Sequence, residues 1–206
     1  MNIINSAIPI FPEAVVYATV IDINSNDIFN YCKKSSFELT AASENKTQSD
    51  NCFITEKYNV LEELNDLKNI IKLNVEHYLY EILKYKMDFK FLNSWVTKTS
   101  PGGFSQPHTH CNTFLSGVYY PTGHENFKIT FLKKQKDFWD IETTVENEFN
   151  LDSLTFNITH NSTLLLFPSS LRHRIEKNES SLDRYSIAFN INPKGMIGRK
   201  DTKIFF

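Results

Sequence analysis

The sequence changes its hydrophobic period once, and this change limits the folds that it can adopt. From Asn59 to Ile82, apolar residues recur at steps of three and four, which predicts one helix with a single apolar stripe. The stripe consists of Val60, Leu64, Leu67, Ile71, Val75, Tyr78 and Ile82. Asn59 is expected to cap this helix, with Glu62 placed three residues further on. A helix with one apolar stripe is expected to pack along one face of a sheet.

After Lys86 the period becomes two, which is typical of strands. One strand is expected to end at the turn Ser100-Pro101-Gly102-Gly103 and to carry on one side Phe89, Phe91, Asn93, Trp95 and Thr97. Further strand-like runs follow at hairpin spacing: Thr113 to Tyr120, Phe127 to Leu132, Leu154 to Ile158, Thr163 to Phe167 and Arg184 to Ile191. This order predicts a mainly β fold with flanking helices, an antiparallel sandwich or barrel rather than alternating βαβ units.

The chain is read as one domain over residues 1–206, because no linker or internal repeat divides it. Its 22 Lys and Arg residues nearly balance 24 Asp and Glu residues, so no overall field favours nucleic acid or an anionic membrane. No apolar run is long enough to span a membrane and no secretory signal is recognisable, so a cytoplasmic location is expected. The three cysteines, Cys32, Cys52 and Cys111, are widely spaced, which favours reduced thiols.

The segment from Gln106 to Asn112 contains the first candidate for a metal site. In extended backbone His108 and His110 lie on one face, so both imidazoles can point at one iron or zinc ion. An isolated His-x-His pair is more typical of surface histidines than of metal ligands, so the site needs a distant partner. His173 is the candidate partner, because it follows an apolar strand that ends at Pro168.

The strand that begins at Arg184 is predicted to have one polar and one apolar face. The polar face carries Arg184, Ser186, Ala188 and Asn190, and the apolar face carries Tyr185, Ile187, Phe189 and Ile191. A polar inner face indicates a ligand cavity, and the fork of Arg184 suits a carboxylate, to which Ser186 can donate a second hydrogen bond. The alternative is a solvent-facing strand on which Arg184 pairs with Asp183 or Glu179.

Together these segments resemble the Fe(II)- and 2-oxoglutarate-dependent oxygenase superfamily, and most of all a branch found in bacteria and tailed phages. The first block is Pro107-His108-Thr109-His110 leading into Ser116-Gly117-Val118-Tyr119-Tyr120. The second block runs from Leu165 to Ser169, through His173, and from Arg184 to Asn190. The resemblance implies a double-stranded β-helix, a jelly-roll or cupin-like fold with core motifs at about residues 89–192, and a phage or marine bacterial source.

The resemblance also implies which residues bind the cosubstrate. Arg184 becomes the anchor of the distal carboxylate of 2-oxoglutarate, and Ser186 and Tyr119 are further candidates for the same carboxylate. His173 becomes the distal iron ligand. Arg172 and Arg174, on either side of it, are expected to point to the opposite side of the chain.

The proximal motif departs from the usual His-x-Asp/Glu, because His110 stands where a carboxylate is expected. Three arrangements are open: the three histidines His108, His110 and His173, two histidines with water, or His110 and Asn112 as the pair. The three-histidine set is favoured. A neutral imidazole in place of a carboxylate leaves the iron site one charge unit more positive.

The activity implied by the resemblance is hydroxylation of a substrate carbon with Fe(II) and 2-oxoglutarate, releasing succinate and carbon dioxide. A peptide or prolyl side chain is the expected substrate, selected in part by an acidic insertion from Lys133 to Asn150 over one barrel mouth. The alternatives are a three-histidine cupin-like dioxygenase that uses no 2-oxoglutarate and a non-catalytic metal-binding module. The apolar segment Ile204-Phe205-Phe206 is expected to dock on the domain or to form a homodimer contact.

Overall fold

A computed structural model of the chain describes residues 6–9, 15–39, 49–133 and 152–206. Its strands are β1 (Ser6–Pro9), β2 (Val15–Val20), β3 (Phe37–Leu39), β4 (Ser49–Thr55), β5 (Asp88–Ser105), β6 (Leu115–Tyr120), β7 (Lys128–Leu132), β8 (Ser153–Asn157), β9 (Thr163–Pro168), β10 (His173–Ile175), β11 (Arg184–Lys194), β12 (Met196–Ile197) and β13 (Ile204–Phe205). The α-helices are α1 (Ser25–Lys34) and α2 (Asn65–His77), with short 3-10 helices at Val60–Glu62 and Lys200–Thr202 and a π-helix at Tyr78–Ile82. Apart from Lys133, the predicted insertion lies outside the described residues.

The strands form a large antiparallel sheet, a small one and a two-stranded hairpin of β12 and β13, which confirms the predicted mainly β fold. The large sheet has the order β1-β2-β9-β6-β11-β5-β4-β3, and the small sheet has the order β10-β7-β8. Buried apolar side chains from both sheets form one continuous cluster: Val16, Ala18, Val118, Tyr120, Phe127, Ile129, Phe131, Phe156, Ile158, Leu165, Phe167 and Leu171. The space between the sheets is therefore a packed core over part of its length.

The helices cover the other face of the large sheet, as the single apolar stripe predicted. Leu67, Ile71 and Val75 of α2 belong to the same buried cluster as Ile187 and Phe189 of β11. Burying this stripe removes apolar surface from water and is the main reason that a helix of ordinary propensity is stable here.

The helix itself is shorter than predicted, and Asn59 does not cap it through its side chain. The chain forms a 3-10 turn first, and α2 begins only at Asn65. The cause is the neighbouring strand β5, where the Ser94 hydroxyl accepts a hydrogen bond from the Leu61 N–H at 2.9 Å and Ser94 pairs with Asn59 in an isolated bridge. Because Ser94 is distant in the sequence, the hydrophobic period could not predict this contact.

Strand β5 also does not keep one face throughout, because its pairing with β11 shifts by one residue at Leu92. Before this β-bulge, Phe89 and Phe91 pack against the helical layer. After it, Trp95 and Thr97 face the opposite side and line a cavity. The prediction that all these residues share one side was wrong, since an extra residue in one strand exchanges the faces.

The turn predicted at Ser100-Pro101-Gly102-Gly103 is absent, and β5 continues to Ser105. Here the backbone of Asn178 holds the strand: the Gly102 N–H donates to the Asn178 carbonyl and the Asn178 N–H donates to the Gly103 carbonyl, both at 2.8 Å. Gly102 has a φ of +80°, a conformation that glycine adopts at little cost. The glycines thus accommodate a local distortion within a strand.

The segment Ile204-Phe205-Phe206 does not dock on the domain. Strand β13 pairs with β12 in a separate hairpin, and Phe205 remains 75% exposed. The prediction of docking on the domain was wrong, while the homodimer contact stays a prediction. Within the described ranges, no helix is both long and apolar enough to cross a membrane.

The first testable prediction concerns Gly117, at the centre of the large sheet. A Cβ at this position would collide with the ring of Phe189 and lie 2.8 Å from Leu166 Cδ2. We expect Gly117→Ala to lower the free energy of unfolding by about 1–3 kcal/mol, because the packed core cannot expand freely. Urea denaturation measures this loss. Phe189→Leu removes the colliding ring atoms. The loss of unfolding free energy caused by Gly117→Ala should therefore be smaller in the Phe189→Leu variant than in the wild-type chain. Strictly additive effects of the two substitutions would contradict this account.

Candidate active site

A cavity of about 790 Å³ penetrates between the two sheets and contains most of the site residues predicted from the sequence. The predicted residues that line it are His108, His110, His173, Arg184 and Ser186. Other lining residues include Cys52, Ile54, Trp95, Thr97, Thr99, Gln106, Tyr120, Phe167, Arg172 and Ala188. The two sequence blocks therefore meet around one space.

The three histidines converge at one side of this cavity. One ring nitrogen from each of His108, His110 and His173 lies within 4.8 Å of the other two. Backbone pairing fixes their approach: the His108 N–H donates to the His173 carbonyl at 2.8 Å, and the His173 N–H donates back at 3.0 Å. The His110 N–H donates to the Ser169 carbonyl at 3.0 Å. A small movement of the rings would bring all three nitrogens into bonding range of one transition-metal ion.

Hydrogen bonds hold each imidazole in the tautomer that a metal ligand requires. His108 Nδ1 lies 2.8 Å from the Gln106 carbonyl oxygen, and His173 Nδ1 lies 2.9 Å from the Leu171 carbonyl oxygen. A carbonyl only accepts hydrogen bonds, so Nδ1 carries the proton and Nε2 keeps its lone pair. This arrangement of an acceptor behind each ligand is typical of metal-binding histidines.

His110 is held by side chains rather than by a backbone carbonyl. Its Nδ1 lies 2.7 Å from Asn190 Oδ1, which also accepts a hydrogen bond from the Ser116 hydroxyl at 2.9 Å. The Ser169 hydroxyl lies 2.8 Å from that of Ser116, and Asn190 Nδ2 donates to Asn93 at 2.9 Å. These bonds fix the amide of Asn190 with its oxygen toward His110 and explain the two buried serines of the sequence blocks.

Burial keeps the inner histidine neutral. Burial lowers the pKa of His173 to about 3, with a further contribution from positive charge on His108. Burial also lowers the pKa of His110, against the opposing effect of its hydrogen bond to Asn190. Both rings are thus available as neutral ligands at physiological pH, since protons do not compete for the nitrogen that a metal would use.

Arg184 lies deeper in the same cavity and has no carboxylate partner among the described residues. It is only 2% exposed. Its guanidinium donates to the Thr99 hydroxyl at 3.1 Å and to the Lys128 carbonyl at 3.3 Å, and it lies over the ring of Phe127. Asp183 pairs instead with Lys98, so the solvent-facing alternative is wrong. Burial lowers the pKa of Arg184, because desolvation disfavours the charged guanidinium.

The tyrosine beside Arg184 is Tyr120, and sequence analysis singled out Tyr119 instead. Tyr119 packs in the cluster shared with the helices, and its hydroxyl donates to Ser162 at 3.3 Å. Tyr120 lines the cavity, and its hydroxyl is buried without any hydrogen-bond partner. Burial raises the pKa of Tyr120 to about 12, so its O–H is a neutral donor. The signal that finds it is the alternation of β6, in which Ser116 and Tyr120 share a face.

Asn112 and Arg172 do not lie where the sequence predicted. Asn112 is exposed and does not line the cavity, so the pair of His110 and Asn112 is not formed. Arg172 lines the same cavity as His173, although the two were expected on opposite sides. The reason is that residue 172 precedes β10 and is not in a strand, so strict alternation does not apply to it.

The network behind His110 predicts an effect on metal affinity. Asn190→Leu keeps the volume of the side chain but leaves the His110 N–H without an acceptor, and we expect the affinity for Co(II) to fall about 10- to 100-fold. Titration calorimetry measures this change. Asn192→Leu is the matched control, since Asn192 lies on the same strand but bonds only to Phe114 and Asn112. Wild-type affinity in Asn190→Leu would show that this hydrogen bond does not position the ring.

The family comparison agrees with the geometry. Residues 93–190 match the model of a family described as "Putative 2OG-Fe(II) oxygenase". This range contains the three histidines and Arg184. No protein with a curated description matches the chain in sequence.

Solved structures show the same fold at low sequence identity. HygX from Streptomyces hygroscopicus, solved with nickel, 2-oxoglutarate and hygromycin B, has a TM-score of 0.59 and 8% identity over 87% of this chain and 82% of its own. A prolyl hydroxylase from Trichoplax adhaerens, solved with a hypoxia inducible factor peptide, has a TM-score of 0.58 and 12% identity over 84% of this chain and 82% of its own.

A prolyl-4-hydroxylase from Pseudomonas putida has a TM-score of 0.57 and 11% identity over 87% of this chain and 93% of its own. The predicted double-stranded β-helix is thus confirmed. With the family match over residues 93–190, the resemblance to the Fe(II)/2-oxoglutarate-dependent oxygenase superfamily that the sequence predicted is confirmed as well.

Proposed function

We propose that the protein is an Fe(II)- and 2-oxoglutarate-dependent dioxygenase that hydroxylates a carbon of its substrate. The observation that carries this proposal is the buried guanidinium of Arg184 beside the unpartnered hydroxyl of Tyr120, in the same cavity as three convergent histidines. A buried charge without an anionic partner and a buried hydroxyl without a hydrogen-bond partner are both unfavourable unless a ligand completes them. A dicarboxylate fits, because one end can bind these donors while the other faces a metal ion.

The donor sets agree with this assignment. His108, His110 and His173 would hold the iron through Nε2, and the far carboxylate of 2-oxoglutarate would accept hydrogen bonds from Arg184 and Tyr120, with Ser186 and Thr99 beside them. When bound, iron with this cosubstrate and dioxygen supplies the oxidative decarboxylation that releases succinate and carbon dioxide and the oxidation of the substrate carbon.

The protein's own residues neutralise the cosubstrate carboxylate, exclude water from the cavity and orient the metal ligands. Arg184 offsets the negative charge of the far carboxylate in a region of low dielectric, where the attraction is stronger than in solvent. Phe167 and Ile129 line the same cavity with apolar surface, which limits the water that can compete. The carbonyls of Gln106 and Leu171 and the amide of Asn190 hold the imidazoles, so that the ligand set needs little reorganisation.

A peptide or prolyl substrate is supported by fold similarity to a prolyl hydroxylase solved with a peptide, although HygX was solved with the small molecule hygromycin B.

We place the protein in the cytoplasm, since its three cysteines are free thiols. A single domain over residues 1–206 is supported by structural matches that cover 84% to 87% of the chain. The phage source and the homodimer stay predictions.

The deciding experiment is an anaerobic titration of metal-free protein with Fe(II) and then 2-oxoglutarate, followed by the visible metal-to-ligand charge-transfer band. We expect a band in the wild type, and loss of normal band formation in Arg184→Met and in His110→Ala. Loss of the charge-assisted hydrogen bonds from Arg184 should lower the affinity for 2-oxoglutarate about 10- to 100-fold. Iron binding without any band or 2-oxoglutarate affinity would contradict the proposal and favour the cupin-like or non-catalytic alternatives.

Stability separates a binding role of Arg184 from a structural one. An arginine that holds the fold together would destabilise the protein when it is replaced. A buried charge that waits for a ligand would not, because an apolar side chain removes the desolvation cost. We therefore expect the Tm of metal-free Arg184→Met to equal or exceed that of wild type in a thermal melt, and a large decrease would contradict this reasoning.

The two adjacent tyrosines give a matched pair of variants. Tyr120→Phe removes only the unpartnered hydroxyl, and we expect the affinity for 2-oxoglutarate to fall about 10-fold. Tyr119→Phe removes a hydroxyl that bonds to Ser162 outside the cavity, so 2-oxoglutarate should bind as in wild type. Calorimetry on both variants loaded with Mn(II) measures the difference. Equal affinities in the two variants would show that Tyr120 does not contact the cosubstrate.

A further inference from the structure

The charge of the cavity is strongly one-sided. Its described lining contains two arginines, Arg172 and Arg184, together with the three histidines, and it contains no aspartate or glutamate. A His-x-Asp/Glu motif would have placed a carboxylate beside the metal, but His110 takes that position. The described part of the cavity therefore has donors and positive charge with no protein anion to balance them.

Arg172 occupies a different part of this cavity from Arg184. It is exposed and also lines the cavity, so it lies where the cavity opens to solvent, directly next to the inner histidine His173 in the chain. It forms no ion pair or side-chain hydrogen bond within the described residues. Its neighbour Arg174 differs, because its Nε lies 2.6 Å from Glu176 Oε1 and its side chain does not line the cavity.

A count of charges shows what the loaded site still lacks. Iron(II) adds two positive charges to one from each arginine, and 2-oxoglutarate returns two negative charges. One carboxylate of 2-oxoglutarate would bind Arg184 at the deep end, so among the described residues no anion balances Arg172 at the mouth. A cavity lined by one sign of charge, with low-dielectric walls, attracts ligands of the opposite sign.

We propose that the primary substrate carries an anionic group, a carboxylate or a phosphate, which Arg172 binds at the mouth of the cavity. This inference rests on the proposed function, because it assumes that 2-oxoglutarate occupies Arg184. Trp95 and Ile54 line the same cavity and offer apolar surface, so the anionic group is attached to an apolar body. Arg172 is then a residue that determines specificity, and it takes no part in cosubstrate binding.

The test compares anionic probes with their neutral counterparts on Mn(II)-loaded protein saturated with 2-oxoglutarate. The probes are indole-3-acetate with indole-3-acetamide, N-acetylphenylalanine with its amide, and phenyl phosphate with phenol. Paramagnetic relaxation of the probe protons by Mn(II) reports binding near the metal and needs no turnover. Wild type, Arg172→Gln and the control Arg174→Gln are measured side by side, and the phosphate pair separates phosphate from carboxylate recognition.

We expect at least one anionic probe to bind wild type and Arg174→Gln about 10-fold more tightly than its neutral partner. Arg172→Gln should lose this preference and keep the 2-oxoglutarate affinity of wild type. Absence of a preference in all three pairs, or an equal preference in Arg172→Gln, would overturn the inference. Cosubstrate binding is measured first, so failure of 2-oxoglutarate to bind would overturn the proposed function, whereas binding without anion preference overturns only the substrate class.

Discussion

The guanidinium of Arg184 is almost fully buried and faces no carboxylate within the described structure. Moving such a charge out of water costs several kcal/mol, which two hydrogen bonds to neutral oxygens and the face of Phe127 offset only in part. The opposite face of the same strand carries the compensation, since Tyr185, Ile187, Phe189 and Ile191 are all buried against the helical layer. The stability of the fold thus offsets the cost of burying a charge that no carboxylate of the described residues neutralises.

Strand β11 also connects the two ends of the site. It pairs with β5 along its length and with β6 over residues 187–191. Arg184 stands opposite Thr99 at one end, and Asn190 stands opposite Asn93 and Ser116 at the other. The groups that would bind the carboxylate and the group that orients His110 are therefore fixed by sheet register rather than by loops, and registered strands hold side chains more exactly than loops do.

The success of sequence analysis followed the regularity of the strands. Strict alternation located both faces of β11, and the convergence of the three histidines followed from their spacing and the second block. Tyr119 was proposed from the family resemblance alone. Adjacent residues in a strand point to opposite faces, and the register that places Tyr120 in the cavity comes from pairing with β9 and β11. The bulge at Leu92 and the capping role of Ser94 are likewise tertiary effects, and hydrophobic period does not encode them.

The replacement of a carboxylate by His110 has consequences beyond the metal ligands. Asn190 and Ser116 hold the ring but are neutral, so they supply orientation without charge. A metal ion at this site would keep one more unit of positive charge than one bound by two histidines and a carboxylate. Since no aspartate or glutamate lines the described part of the cavity, molecules that enter it would supply the balancing negative charge. A carboxylate beside the metal would weaken the binding of a second anion through repulsion, whereas a third imidazole allows Arg172 to act on the substrate without opposition.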